Sequence, residues 1–470
     1  MLPMLQGKEA YPMSNHQDLM YLPHLSFERI SELSEEFRSN PKLRMAQNAV
    51  THTTLDDIAM DREVVTASEF SFSHQLDSWS VTNQKKSGRC WMFAALNLLR
   101  VDAMKAMGLN TFEFSQNYTL FWDKFERSNY FLEEVIATAD RPVDDRLIAF
   151  MLQEPLSDGG QWNMAVNIIK KHGLVPKSVM PESESSSNTR RMNWSLKYKL
   201  REAAKDLRLA IHGGADIDQA RRMKHETLES IWKILCIHLG TPPSQFQWQW
   251  TDKDGAFHRD GLLTPREFVA RYVSLPLDDY VCIVHDPRPE NPFGQTYTVE
   301  FLDNVVGGSP VTYLNVEMDV MKSVTRQQIV DGHPVWFGCD VGQQMRRDLG
   351  LWDRHLFDYS NVYETHFSLS KSDRLHHHQT LMTHAMLFTG VDILEDEPRR
   401  WRVENSWGED NGRKGFYLMN DSWFDEYVFE IAAPKSSLPD RLQAALETPP
   451  RILPAWDPMG ALAHREMPWG

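Results

Sequence analysis

The periodicity of the apolar residues changes near Val281, and this change constrains the fold more than any other feature of the chain. Upstream, apolar residues recur every three or four positions, as in CWMFAALNLLRVDAMKAMG and over 194–211 and 217–239. Downstream, short strand-like runs alternate with turn residues, at 297–301, 311–313, 335–337, 385–389, 401–403, 416–418 and 428–431. Helices followed by strands predict an α+β fold with a helical front and a β-rich back.

The composition argues against several classes of protein. The 470-residue chain carries a net charge of −15, whereas nucleic-acid-binding proteins need basic surface to replace counterions. No run of about 18 apolar residues is present, and the N-terminal residues lack the pattern of a secretory signal, so we expect neither a membrane span nor export. The four cysteines are too few for a disulfide framework, which is typical of a reducing cytoplasm.

Cys90 differs from the other cysteines, which lie in apolar runs typical of small buried side chains. It follows the polar loop SVTNQKKSGR and opens the helical pattern that ends at Gly108. A helix N-terminus favours the thiolate through its unpaired N–H groups and its dipole. Cys90 is therefore a candidate nucleophile, although its local sequence alone also allows a structural cysteine.

A thiol nucleophile needs a base, and His384 is the candidate among eighteen histidines. It precedes the apolar stretch AMLFTGVDI, where a structural role is the alternative. Asn405 follows in ENSWGEDNGRKGF, and its side-chain oxygen can accept from one imidazole nitrogen while the other faces the thiol. Trp407 can shield that bond from water. The histidine run 376–378 has no carboxylate or cysteine at metal-binding spacing, so no metal site is predicted there.

Six strings resemble the bleomycin hydrolase and aminopeptidase C family of papain-like cysteine peptidases. They are QKKSGRCWMFAALN, SDGGQWNM, LMTHAML, WRVENSWGEDNGRKGF, WFDEYVFE and LPAWDPMGALA, and they span nearly the whole chain. The resemblance implies that Cys90 is the nucleophile, His384 its base and Asn405 the residue that orients the histidine. It also implies that the side-chain amide of Gln84 joins the Cys90 backbone N–H in an oxyanion hole.

The same resemblance implies a set of substrate-binding residues. Gly159 and Gly160 correspond to the pair beside which a substrate backbone lies, although a simple turn is the alternative for two glycines. Trp407 corresponds to the tryptophan over the asparagine–histidine bond, and Ala463 to the end of the family's C-terminal arm. Ser87 stands where secreted papain-type enzymes have a disulfide-forming cysteine, which agrees with an intracellular protein.

The resemblance further implies a two-lobed papain-like fold with a large helical insertion and a C-terminal arm that reaches the active-site cleft. The interval from Cys90 to His384 is roughly twice the ~130–150 residues of papain, which leaves room for that insertion. We expect an N-terminal arm over 1–65 and a helical lobe with the nucleophile over 66–190. A helical insertion that could serve in oligomerisation follows over 191–290, then a β-rich lobe with the histidine and asparagine over 291–440 and the arm over 441–470.

The C-terminal arm carries the one departure from the family pattern. In the family, the chain's own C-terminus blocks one side of the cleft, so that substrates enter by their N-termini. The family ending DPMGALA is present at 457–463, but HREMPWG follows it. A carboxylate displaced by these residues cannot occupy the same place. Either the enzyme trims its own tail near Ala463, the alternative we favour, or the extension stays and folds away.

The predicted function is that of a cytoplasmic cysteine aminopeptidase that removes N-terminal residues from peptides through an acyl-enzyme, with bleomycin-hydrolase-like amide hydrolysis. The resemblance also implies a homohexamer. Two alternatives stay open: a nucleic-acid-binding homologue with secondary peptidase activity, which the net charge disfavours, and an endopeptidase, if the extension leaves the cleft open. No feature of the sequence calls for a metal, a nucleotide or a prosthetic group.

Overall fold

A computed structural model describes residues 25–77 and 79–463, so HREMPWG lies outside the described residues. The chain forms two compact units: residues 25–60 with Phe357–Phe367 form one, and the remaining described residues form the other. No helix within the described ranges is long and apolar enough to cross a membrane.

The helices are distributed over both units. In chain order they are α1 Phe27–Ser39, α2 Pro41–Val50, α3 Leu55–Ala59, α4 Arg62–Ala67, α5 Cys90–Met107, α6 Gln116–Ala137, α7 Arg146–Gln153, α8 Trp162–His172, α9 Glu184–Ser187, α10 Arg190–His212, α11 Ile217–Leu239, α12 Pro265–Tyr272, α13 Met318–Val330, α14 Tyr359–Tyr363, α15 Lys371–His376, α16 Asp421–Tyr427 and α17 Asp440–Ala445. The first unit consists of α1, α2, α3 and α14. In it Ser26 caps α1, and Asn40 caps α2 ahead of a proline at the first helical position.

The strands belong to the second unit. They are β1 His74–Gln75, β2 Phe246–Thr251, β3 Phe257–Leu263, β4 Tyr280–Val284, β5 Gln295–Val299, β6 Tyr313–Asn315, β7 Val335–Cys339, β8 Met345–Arg346, β9 Leu351–Trp352, β10 His384–Leu394, β11 Glu397–Glu404, β12 Phe416–Asn420, β13 Val428–Pro434 and β14 Arg451–Leu453. The main sheet has the order β14-β5-β6-β4-β13-β7-β10-β11-β12-β9-β8, with β1 beside β10, and β2 and β3 form a separate hairpin.

Helix α5 forms the centre of the helical layer and packs against β7 and β10 of the sheet. Its residues from 90 to 100 are buried on every face, which explains why its sequence is mostly apolar rather than amphipathic. Gly108 ends the helix in the left-handed conformation, at φ 64°. The Trp336 indole N–H on β7 donates to the Trp91 carbonyl at 3.0 Å, which links the sheet to the first turn of the helix.

The predicted α+β class and the predicted helical pair are confirmed. Helices α10 and α11 contain the predicted stretches 194–211 and 217–239, and they pack against each other and against α6. The structure adds elements within 191–290 that the periodicity did not indicate, namely the β2–β3 hairpin and strand β4 of the main sheet. The domain boundaries given above stay a prediction.

Candidate active site

Cys90 is the first residue of α5 and is buried. The residue before it, Arg89, gives the helix no side-chain cap, and its guanidinium instead forms two hydrogen bonds to Glu182 at 3.0 and 2.7 Å. The Arg89 Nε also donates to the Ser87 hydroxyl at 2.8 Å. The loop before the thiol is thus fixed by buried polar contacts. All four cysteines of the chain have free thiols.

The side chains of His384 and Asn405 meet because their strands are neighbours. His384 opens β10 opposite Cys339 of β7, and Asn405 directly follows the last residue of β11, which pairs with Leu387 of β10. The His384 Nε2 and the Asn405 Oδ1 are 3.0 Å apart, and both residues are buried. This bond leaves Nδ1 of the imidazole for another partner. The Trp407 ring lies 4.9 Å from the imidazole, centroid to centroid, and covers the pair.

Glu404 connects the end of β11 to the helix of Cys90. Its Oε1 accepts from Arg100 Nη2 at 2.7 Å and from Asn97 Nδ2 at 3.0 Å, and both donors lie on α5. Its Oε2 accepts from the Trp79 indole at 2.6 Å. The ion pair is almost fully buried, at 1% exposure for each side chain. A buried network with this many partners fixes the relative position of the strand and the helix. The sequence alone gave no signal for it.

Gln84 lies beside Asn405 in a buried loop. Its backbone N–H donates to the Ser406 carbonyl at 2.9 Å, and its Oε1 accepts from the Ser406 hydroxyl at 2.6 Å. The Nε2 donates to the Ser87 carbonyl at 2.6 Å. An amide nitrogen carries two hydrogens, so one remains for a further acceptor. The structure thus brings Gln84 against the asparagine loop, with its amide orientation fixed from both ends.

Gly159 and Gly160 lie over the first turn of α5. The Gly159 carbonyl accepts from Arg127 Nη2 at 2.7 Å. A Cβ at Gly160 would lie 2.5 Å from the Trp91 ring, so the glycine is required by the tryptophan beneath it. The role of the glycine pair beside a substrate backbone stays a prediction. The backbone edge of Gly160 stays available for pairing.

The C-terminal arm occupies that edge. Ala463 forms an antiparallel bridge with Gly160, and the Gln161 Nε2 donates to the Ala461 carbonyl. The Cys90 Sγ lies 3.3 Å from the Ala463 carbonyl oxygen. The predicted arm therefore reaches the cleft and comes within hydrogen-bond distance of the candidate nucleophile. This contact joins residues distant in the sequence, and only the string DPMGALA suggested it.

An ion pair anchors the arm to the β-rich layer. Arg288 donates to the two carboxylate oxygens of Asp457 at 2.7 and 3.2 Å, and Asp286 holds the same guanidinium from the other side at 2.6 Å. Asp457 also caps the turn that follows, because its Oδ1 accepts from the Met459 N–H at 2.9 Å. Upstream, β14 pairs in parallel with β5. The sequence analysis did not single out Arg288, since nothing local relates it to Asp457.

Burial shifts the pKa values of both Cys90 and His384. It raises the pKa of the Cys90 thiol to about 12 and lowers the pKa of His384 to about 4, and Asn405 only partly offsets the shift of the histidine. The nearby Asp158 carboxylate adds to the rise at the thiol. Burial alone would raise the pKa of Asp158, but its 2.6 Å ion pair with Lys124 lowers it well below its ordinary value. Burial thus favours the neutral thiol and the neutral imidazole, whereas the helix N-terminus at Cys90 led us to expect a thiolate.

The model of the Peptidase C1-like family matches residues 24–460. The bleomycin hydrolase of Homo sapiens is 43% identical over 450 residues, which cover 94% of this chain and 99% of that protein. The aminopeptidase C of Streptococcus thermophilus is 43% identical over 442 residues, with 94% and 99% coverage.

A solved structure agrees with these relatives. The crystal structure of PepW from Lactobacillus rhamnosis HN001 superposes with a TM-score of 0.92 at 42% identity, and the match covers 93% of this chain and 99% of that chain. The predicted resemblance and the papain-like fold class are therefore confirmed. The chain belongs to the Peptidase C1-like family.

Proposed function

We propose that this protein is a cysteine aminopeptidase that removes N-terminal residues from peptides. The Cys90 thiol gives its proton to the free Nδ1 of His384, and the thiolate attacks the carbonyl carbon of the first peptide bond. The C–N bond then breaks, and the imidazolium protonates the leaving amine. Water activated by His384 hydrolyses the thioester and releases the amino acid. Asn405 holds the imidazole at the angle that both proton transfers require.

The tetrahedral oxyanion needs donors that are in place before it forms. Cys90 contributes its own backbone N–H, which a helix N-terminus leaves without an intrahelical partner. Gln84 contributes the second hydrogen of its Nε2. The two hydrogen bonds that hold its side chain, to the Ser87 carbonyl and from the Ser406 hydroxyl, support this role because they prevent the amide from rotating.

One observation carries the preference for exopeptidase action: the arm pairs with Gly160 and ends its described course 3.3 Å from the Cys90 Sγ. A long substrate would need that same edge for its residues before the scissile bond. Because the arm occupies this edge, a long substrate cannot pair its residues before the scissile bond there. The names of the relatives, bleomycin hydrolase and aminopeptidase C, support the same activity. They also support hydrolysis of bleomycin-like amides.

The tail after Ala463 is a candidate for the first substrate that the enzyme cleaves. Its amide bond to His464 begins at the carbonyl that lies beside the thiol, so this bond is the nearest substrate that the enzyme has. We propose that the enzyme cleaves there and leaves the Ala463 carboxylate to pair with the α-ammonium of an incoming peptide. We further propose a cytoplasmic location, which the four free thiols support, and a homohexameric assembly. The chemistry requires no cofactor.

The test is a panel of aminoacyl fluorogenic amides, each with a free and an N-acetylated amino group. Wild type is expected to hydrolyse the free forms and to spare the acetylated ones, and Cys90→Ala is expected to hydrolyse neither. Equal rates on free and acetylated forms would contradict aminopeptidase action but leave a peptidase. Hydrolysis by Cys90→Ala at the wild-type rate would contradict the nucleophile itself.

A further inference from the structure

Arg347 is an exposed cation close to the catalytic histidine that the proposed mechanism does not use. It lies in the turn between β8 and β9, and its guanidinium carbon is 4.9 Å from the centre of the Trp407 ring. The same ring is 4.9 Å from that of His384. Arg347 also contributes, after burial, to the lowering of the His384 pKa, so its charge is felt at the reacting centre.

The charge of Arg347 is not neutralised by an ion pair with any carboxylate in the described part of the chain. Its neighbour Arg346 provides the contrast, because the Arg346 Nε pairs with Asp348 at 2.7 Å. Stacking on a tryptophan holds a guanidinium in place, and Arg347 also interacts with the Tyr417 hydroxyl. A guanidinium carries five N–H donors, so others remain for a substrate. The net charge of −15 disfavours the binding of anions in general, which makes a fixed cation at the site more significant.

The position of Arg347 indicates which part of a substrate it meets. The arm pairs with Gly160 and approaches Cys90 from that side, so the residues after the scissile bond continue beyond the thiol in the opposite direction. Trp407, bridged to Asn83, forms the surface beside His384 on the β-rich lobe. The Arg347 guanidinium is at most about 10 Å from the imidazole centre, the span of about three extended residues.

We propose that Arg347 binds a carboxylate on the leaving group, and that the enzyme therefore favours short peptides whose free C-terminus follows the scissile bond by one or two residues. This inference rests on the proposed aminopeptidase function and deepens it. A carboxylate is the group that a planar guanidinium recognises with two parallel hydrogen bonds. In longer peptides, an acidic side chain just after the cleavage site makes the same contact.

The experiment compares kcat/KM for leucylglycine and leucylglycinamide, which differ only in the C-terminal charge. Wild type is expected to favour the free acid by about tenfold, the effect of one partly exposed charge-assisted contact. Arg347→Ala is expected to remove the preference and Arg347→Glu to invert it, while Arg347→Lys retains part of it. Arg346→Ala is the matched control and is expected to keep the wild-type ratio.

The ratio of kcat/KM for leucylglycine over leucylglycinamide distinguishes carboxylate binding by Arg347 from its effect on His384. Arg347 also acts on the His384 pKa, so absolute rates will change in its variants, but that effect is common to both substrates and cancels. An unchanged ratio in Arg347→Glu, or no preference in wild type, overturns the proposal. If wild type hydrolyses free aminoacyl fluorogenic amides but the ratio of kcat/KM for leucylglycine over leucylglycinamide is the same in the Arg347 variants, only this inference fails. If wild type hydrolyses neither class of substrate, the proposed function fails with it.

Discussion

Substitution of Asp457 by alanine should loosen the arm and admit blocked substrates. Asp457 is 12% exposed and Arg288 is 6% exposed, and two hydrogen bonds of 2.7 and 3.2 Å join them. Asp286 still pairs with Arg288 after the substitution, so no charge is left buried alone. The loss is then that of the two charge-assisted hydrogen bonds to Arg288 and of the cap on the Met459 N–H, about 3 kcal/mol or more in the free energy that holds the arm in the cleft.

A loss of this size raises the population of enzyme with an undocked arm about 100-fold, since 1.4 kcal/mol corresponds to tenfold. If acetylated substrates are hydrolysed only by that population, the ratio of kcat/KM for acetylated over free aminoacyl amides should rise by up to the same factor. Glu447→Ala is the control, because it removes an exposed carboxylate from the segment that leads into the arm. Circular dichroism should confirm that both variants are folded.

The reasoning would be refuted if Asp457→Ala gave the wild-type ratio within about twofold, given that 3 kcal/mol predicts a far larger change. A rise of equal size in Glu447→Ala would also refute it, because the effect would then not depend on the ion pair. Loss of activity on free substrates without gain on acetylated ones would indicate that the arm supports catalysis instead of limiting access.

Three further predictions concern the site itself. Asn405→Ala removes the 3.0 Å bond to His384 and should lower kcat/KM by about 10- to 100-fold, or ~1.5–3 kcal/mol, whereas an unchanged kcat/KM would contradict the orienting role. Burial lowers the His384 pKa from 6.5 to about 4. Between pH 6.5 and pH 4, His384 is therefore protonated in the unfolded chain but neutral in the folded chain. The free energy of unfolding therefore falls as the pH falls through this range. Urea unfolding at pH 7 and 4.5 should show that the stability of His384→Gln falls by about 2 kcal/mol less than that of wild type over this range, and equal losses would contradict the shift. Intact-mass measurement should find wild type shortened to Ala463 and Cys90→Ala at full length, and two full-length proteins would contradict self-trimming.

The local features of the candidate site could be predicted from the sequence. The apolar helical pattern begins at Cys90, and the helix begins at that residue. The strand-like runs around His384 and before Asn405 became the adjacent strands β10 and β11. Short-range periodicity was sufficient to predict these elements, because the burial of a helix or strand face determines which positions in its sequence are apolar.

The long-range features could not be predicted from periodicity. The Glu404–Arg100 pair joins a strand end to a helix, and nothing in either local sequence indicates the partner. The protonation of the site also depends on tertiary burial: a helix N-terminus favours a thiolate, but burial of Cys90 outweighs it and raises the Cys90 pKa. Periodicity also gave no sign that a Cβ at Gly160 would lie 2.5 Å from the Trp91 ring.

The most direct measurement of the central claim compares one peptide, free and N-acetylated, in wild type and in a chain truncated after Pro454. The claim is that the arm beside the Cys90 thiol restricts the cleft to free N-termini. Wild type should release the first residue of the free peptide and leave the acetylated one intact, while the truncated chain should cleave both at internal bonds. Internal cleavage of the acetylated peptide by wild type, at the rate of the truncated chain, would contradict the claim.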